Sequence, residues 1–199
     1  MPLEGKGLGW RYGRGDWLFQ SLNITIMPGE VVGLFGPSGS GKSTLGRLLA
    51  GYMPPMQGEV VVGGKRRSGH GHDAVQLIHQ HPQLAVNPGW RMKRMLCEGW
   101  RPDSGTLAAM GVSPGWSDRF PGELSGGELQ RCCIVRALGP DTRHLIADEM
   151  TAMLDAVSAV QIWHALLRIA EERRIGLLVI SHDHALLERI CDRIVAIFH

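Results

Sequence analysis

The apolar positions of this chain fall into short blocks with two different periods. Val31–Phe35 (VVGLF) is a continuous apolar run between Pro28-Gly29 and Gly36. A run of this kind fits a strand covered on both faces of a parallel sheet. Val75–His79, Leu145–Ala147, Leu177–Ile180 and Ile194–Phe198 read the same way. Ile24–Met27 and Val60–Val62 predict two further strands, closed by Pro28-Gly29 and Gly63-Gly64. Between the strands the period becomes helical. One helix opens at Lys42, carries Leu45, Leu48, Leu49 and Ala50, and stops near Gly51. Another runs from about Gly127 to Leu138, and a long one covers Val157–Arg173. That long helix is expected to bury Val160, Trp163, Leu166, Leu167 and Ala170 on one face. A last helix spans His184–Cys191. Strand alternating with helix predicts an α/β fold with a parallel core sheet.

The stretch from 82 to 122 breaks this rhythm. It is rich in Pro, Gly, Trp and Arg, with helical pieces near Arg91–Glu98 and Ser104–Met110. The expected division is an α/β core of residues 1–81 and 139–199, with a small helical subdomain over 82–138. Trp90, Trp100 and Trp116 are expected as core anchors or interface contacts of that subdomain.

Composition narrows the class. The 199 residues suit one compact domain, since domains run to about 100–200 residues. Hydrophobic residues make up 44%, enough for a sizeable core, which excludes a disordered chain or a disulfide-stapled miniprotein. No apolar run approaches the ~18–20 residues that cross a bilayer, and Met1–Gly15 lacks a signal-peptide core, so the expected compartment is the cytosol. A net charge of +2 gives no global pull towards nucleic acid. Cys97, Cys132, Cys133 and Cys191 have no Cys-x-x-Cys spacing and read as reduced, packed thiols.

The 27 glycines cluster in polar loops without a fixed period. Gly36-Pro37-Ser38-Gly39-Ser40-Gly41-Lys42-Ser43-Thr44 follows a buried strand and opens a helix, the context that makes a Walker A phosphate loop credible. Glycines let backbone N–H groups surround phosphate oxygens, and the helix N-terminus adds a favourable dipole. Lys42 can reach the β- and γ-phosphates, and the Ser43 hydroxyl can ligate Mg²⁺. Leu145–Ala147 runs into Asp148-Glu149, an apolar strand ending in two carboxylates. Asp148 suits Mg²⁺, and Glu149 suits polarisation of an attacking water. Leu177–Ile180 ends in Ser181-His182-Asp183, at the sheet edge where ligands of open α/β folds bind. Leu124-Ser125-Gly126-Gly127-Glu128-Leu129-Gln130-Arg131 puts a serine and two glycines at a helix start, a second anion nest.

These four segments, in this order, resemble the ATP-binding subunits of ABC transporters over essentially the whole chain. The resemblance implies ATP and Mg²⁺ as cofactors and a head-to-tail dimer, formed with a copy of itself or with a second ABC ATPase. By the same resemblance Tyr12 would stack on adenine, with Trp10 a weaker candidate. Gln80 would sense Mg²⁺ and the attacking water. Ser125, Gly126 and Gly127 would face the nucleotide of the opposite subunit, and Met153-Leu154-Asp155 would form the subunit-crossing loop with Asp155 as its acid. His182 would hold the γ-phosphate. Lys42, Gln80, Glu149 and His182 are thus the catalytic set, Ser43, Gln80 and Asp148 the metal set, and Tyr12, Gly36 and Ser38–Thr44 the nucleotide set.

The chain departs from the family pattern at Met150, usually proline, and Met153, usually alanine. The stretch from Gln80 to Leu124 is shorter than usual, and the hairpin and regulatory domain that commonly follow the last core strand are not expected. Gln80-His81-Pro82 followed by Val86-Asn87-Pro88 resembles the peptide/nickel branch of ABC importers. That branch works at the cytoplasmic face of the cell membrane on integral permease subunits, fed by an extracytoplasmic binding protein. Leu84–Arg94 would then line the groove for the permease's coupling helix. His79-Gln80-His81-Pro82 also resembles the soluble accessory ATPases of phosphonate breakdown. DNA-repair and translation members carry two cassettes or a long insertion, which this chain lacks.

His70, His72, Asp73, His79 and His81 are close in sequence, but His79 and His81 flank Gln80 at a strand end, and His70 and His72 sit in a Gly-rich loop. They read as solvated or structural side chains, ahead of a metal site. Lys65, Arg66, Arg67, Arg91, Lys93 and Arg94 read as solvated surface, ahead of a lipid or permease contact.

Overall fold

A computed structural model describes residues 1–66 and 74–196. Two sheets form the scaffold. The first is antiparallel, in the order β2 (Trp17–Ile26), β1 (Leu3–Arg11), β4 (Gln57–Val62), β5 (Lys65–Arg66). The second is wholly parallel, in the order β6 (Val75–Ile78), β7 (His144–Asp148), β8 (Gly176–Ile180), β3 (Val31–Phe35), β9 (Arg193–Ala196). The helices are α1 (Lys42–Leu49), α2 (Met92–Leu96), α3 (Ser104–Ala109), α4 (Gly126–Ala137), α5 (Ala156–Arg173) and α6 (His184–Ile190). Short 3₁₀ turns lie at Pro82–Ala85, Pro114–Trp116 and Pro121–Glu123.

The strand period of two sorts the core into two layers. Along β8, Leu178 and Ile180 face Val32, Leu34, Leu45, Leu48 and the apolar side of the antiparallel sheet. Leu177 and Val179, one residue out of step, face the other way with Leu145 and Ala147, against α4 and α5. Residues of both kinds are fully buried, which is why these strands read as unbroken apolar runs. Met92, Met95, Met110 and Leu129 belong to the second layer, so the segment between 82 and 138 shares one continuous apolar cluster with β7, β8 and α5.

Some expectations need correction. β1 forms where the sequence shows only a polar, glycine-rich stretch. Its pairing with β2 shifts register after Gly5 and again after Leu8, and Gly7 has φ +59°. These bulges break the period of two that would have marked a strand. In α5 the buried face is Ile162, Trp163, Leu166, Ile169 and Ala170, whereas Val160 is 55% exposed. β6 stops at Ile78, so His79 and His81 are not on a strand end; the His79 ring meets Tyr52 edge-on at 5.7 Å. Arg67, His70, His72, Asp73, Phe198 and His199 lie outside the described residues, and the described ones contain no group of three or more side chains able to hold a metal ion. All four cysteines are free thiols, with Cys132 and Cys133 buried and Cys97 exposed. Trp100 and Trp116 pack partly buried against the core, and Trp100 Nε1 donates to the Arg136 carbonyl at 3.0 Å.

Candidate functional site

The carboxyl ends of β3, β7 and β8 converge with the loop after β6, the edge at which open parallel sheets bind ligands. β3 delivers the chain into Gly36–Gly41, and α1 opens at Lys42. Gly41 caps that helix at φ +97°, and a Cβ there would fall 2.6 Å from Leu18 Cδ2. Only glycine meets both demands. The loop curls round Lys42, which is 6% exposed and whose Nζ donates to the Gly36 and Pro37 carbonyls, each at 2.8 Å. An ammonium has three protons, so one remains for an anion. Ser40 Oγ is buried in the same loop without a protein partner. A cationic cradle holding an unsatisfied buried hydroxyl fits a polyphosphate.

The strand ends bring the acids to this loop. Ser43 Oγ donates to Asp148 Oδ1 at 2.9 Å. Asp148 is 7% exposed, and burial raises its carboxyl pKa above the ordinary value, against the Ser43 hydrogen bond that lowers it. A buried carboxylate next to a hydroxyl is a hard-oxygen pair of the kind that holds Mg²⁺, and the cation would offset the desolvation. β7 ends at Asp148, and Glu149 turns away with φ +47°, a left-handed conformation rare outside glycine. Its N–H still donates to the Ile180 carbonyl at 3.0 Å, which fixes the turn against β8. Gln80 Nε2 donates to Glu149 Oε2 at 3.4 Å, and His182 Nδ1 lies 3.2 Å from the same oxygen. Glu149 Oε1 has no partner among the described residues, which leaves it available to accept a proton or orient a water. Tyr12, 62% exposed, completes the group through its hydroxyl, 2.8 Å from Thr44 Oγ1.

Lys42, Ser43, Thr44, Gln80, Asp148, Glu149, His182 and Tyr12 are therefore one constellation. No hydrogen bond or ion pair among the described residues joins Ser125, Gly126, Gly127 or Asp155 to this group. Ser125 caps α4, with its Oγ accepting from the Glu128 N–H and the Glu128 carboxylate accepting from the Ser125 N–H. Asp155 caps α5 by accepting from the Ser158 N–H at 2.9 Å. The two helix starts adjoin: a Cβ at Gly127 would sit 3.7 Å from Ser158, and one at Gly126 3.8 Å from Leu154. The second group is a pair of exposed helix starts, in which Ser125 and Asp155 each cap their own helix. Sequence reading did not single out Gln130, whose amide reaches the His79 carbonyl at 3.3 Å, because the two are 51 residues apart.

Comparison with known proteins agrees with this geometry. A family model described as ABC transporter matches residues 19–152. The nickel import ATP-binding protein NikE of Rhodospirillum rubrum is 36% identical over 199 aligned positions, covering 90% of this chain and 72% of that protein. The nickel import system ATP-binding protein NikE of Staphylococcus aureus is 32% identical, covering 98% of this chain and 86% of that protein. Among solved structures, the ATP-binding cassette MJ0796, in a dimeric post-hydrolysis state with ADP and Pi, superposes with a TM-score of 0.83 at 24% identity, over 98% of this chain and 94% of that one. Clostridium perfringens cbiO1, part of the ABC transporter complex cbiONQ, gives 0.83 at 22% identity, over 98% of this chain and 84% of that one. These two likenesses concern the fold, a nucleotide-binding cassette. With a phosphate loop, a carboxylate pair and a glutamine and histidine converging on one oxygen, the chain belongs to the ABC transporter family as one of its ATP-hydrolysing subunits.

Proposed function

We propose that this subunit energises an ABC importer whose cargo is nickel, a metal chelate or a short peptide. The names of the two relatives above support the cargo class. The observation that carries the mechanism is the meeting of Gln80 and His182 at one oxygen of Glu149, beside Lys42, Ser43 and Asp148. In the proposed reaction Tyr12 packs on adenine, the Gly36–Thr44 backbone and Lys42 bind the phosphates, and Glu149 orients water for in-line attack on the γ-phosphate. His182 and Gln80 hold the attacked phosphate and the water. Mg²⁺, when bound, neutralises phosphate charge; Ser43, Asp148 and Gln80 would hold it.

The exposure of Ser125 and Gly126 at the start of α4 supports a head-to-tail dimer, in which one chain's nest closes on its partner's nucleotide and Asp155 lies on the crossing loop. Residues 82–138 would act as the helical subdomain carrying that nest, on a core of 1–81 and 139–199. A groove of about 510 Å³ lined by Tyr52, His79, Asn87, Pro88 and Arg136, with Leu84 exposed at its rim, suits a short coupling helix of a permease. No helix among the described residues is long and apolar enough to cross a membrane, which fits a peripheral subunit on the cytoplasmic face.

Glu149→Gln tests the reading. It keeps shape and removes the base, so ATP binding should persist while turnover falls about 100-fold or more, and a nucleotide-held dimer should accumulate on size exclusion. Unchanged turnover would remove Glu149 from its role. Captured with ATP from detergent-solubilised native membranes, the same variant should bring down permease subunits. Soluble enzymes alone would point instead to an accessory ATPase of the phosphonate-breakdown type.

A further inference from the structure

Three side chains on one face of α4 hold three backbone carbonyls of the segment that follows β6. Gln130 Nε2 donates to the His79 carbonyl at 3.3 Å, Cys133 Sγ lies 4.0 Å from the Pro82 carbonyl oxygen, and Arg136 Nη2 donates to the Ala85 carbonyl at 2.7 Å. The donors are three residues apart, and so are the acceptors. Helix positions i and i+3 share a face. A 3₁₀ turn repeats every three residues, so the turn at Pro82–Ala85 presents carbonyls at matching intervals. The result is a ladder of constant register that lays the segment after Gln80 along the helix opened by Ser125-Gly126-Gly127.

Its first rung sits at a sensitive place. The His79 carbonyl and the Gln80 N–H share one planar peptide unit. Holding that carbonyl sets the direction from which the Gln80 side chain reaches Glu149 Oε2. Gln130 is 1% exposed and its Oε1 is buried without a partner. A methionine or leucine would remove the unpaired Oε1 but would leave the His79 carbonyl without its donor, so the amide at this position serves that carbonyl. The far rung is braced: Arg136 Nη1 pairs with Glu98 at 2.9 Å, and Trp100 Nε1 donates to the Arg136 carbonyl.

We propose that Gln130 is a positioning residue that aims Gln80 at Glu149 through the His79–Gln80 peptide. This rests on the reading of Gln80 and Glu149 given above.

The test is a double-mutant cycle on the purified full chain, with Mg-ATP turnover as the readout. Gln80→Ala should lower kcat. Gln130→Met, which keeps size and removes the donor, should lower kcat about 5- to 10-fold, with KM for ATP within about twofold. The double variant should be no slower than Gln80→Ala alone. Full additivity, or wild-type turnover in Gln130→Met beside an impaired Gln80→Ala, would overturn the positioning role. Wild-type turnover in Gln80→Ala would overturn both this proposal and the mechanism it rests on. If Gln130→Met fails to fold, Arg136→Lys carries the same cycle. It keeps the charge opposite Glu98 and loses the second prong on the Ala85 carbonyl, and its loss should likewise vanish in the Gln80→Ala background.

Discussion

Lys42 shows how a single residue can be read almost completely from its neighbours in sequence. Its role needs a strand before it, glycines around it and a helix after it, and all of these lie within a few residues. The structure places its ammonium on two carbonyls of its own loop, so the charge is held in place before any phosphate arrives. A charge-assisted hydrogen bond contributes about 1.5–3 kcal/mol, which is about 10- to 100-fold in an equilibrium constant. Lys42→Ala should therefore weaken ATP binding by about that factor, measured by titration with a fluorescent ATP analogue, while leaving the fold intact by circular dichroism. Affinity at the wild-type level would mean that the loop amides alone carry the phosphates. Gln130 is the opposite case. Its sequence neighbours suggest only a helix start, and its meaning lies in a carbonyl 51 residues away. Local spacing therefore revealed the phosphate loop and the acids at the strand ends, but not the side chain behind Gln80.

At the scale of the element, the same division holds. β3, β7 and β8 were legible because both of their faces are buried and nothing interrupts their apolar runs. β1 was not, because its bulges and glycines break the alternation. On α5, Trp163, Leu166 and Ala170 are buried as helical spacing predicts and Leu167 is partly so, but Val160 is exposed; Ile162 and Ile169 fit the same spacing, and only the packed sheet decides between them. The start of α5 carries a helix cap, and substitution separates it from the proposed role of Asp155 across the dimer. Asp155 accepts from the Ser158 N–H, and hydrogen bonds from Ser158 hold its carboxyl pKa below the ordinary value. Asparagine caps a helix about as well as aspartate, and alanine does not. Asp155→Ala should lower the melting temperature by about 2–4 °C, the usual shift for a lost cap in a chain of this size, and Asp155→Asn should not. If the acid also acts across the dimer, both variants should slow ATP turnover in the assembled pair. Normal turnover in Asp155→Asn would reduce its role to the cap.

At the scale of the whole molecule, one buried histidine ties the chain's beginning to its central sheet. His144 opens β7, is 1% exposed, and its Nε2 lies 3.0 Å from the Met1 carbonyl oxygen. Its Nδ1 is buried without a partner, pressed so close to Gly176 that a Cβ there would fall 2.5 Å from it. Burial lowers its pKa below the ordinary histidine value; the Met1 hydrogen bond opposes this and the nearby N-terminal charge adds to it. The half-buried His79 is shifted the same way, by burial and then by Arg47 and Arg136. A lowered pKa means that the unfolded chain takes up a proton first. As pH falls through about 6.5, the unfolded-state value, stability must fall, and it goes on falling until the folded-state value is passed. One such group can contribute at most about 1.4 kcal/mol per pH unit. Asp148 works in the opposite sense and at lower pH, because its raised pKa lets the folded state bind a proton more readily than the unfolded one. Urea midpoints should therefore drop between pH 7.5 and pH 5.5. The drop should be smaller in His144→Gln, which keeps a donor near the Met1 carbonyl but cannot titrate. An equal drop in both proteins would mean that the acid sensitivity comes from elsewhere, and that the bond between Met1 and the parallel sheet is indifferent to protonation of His144.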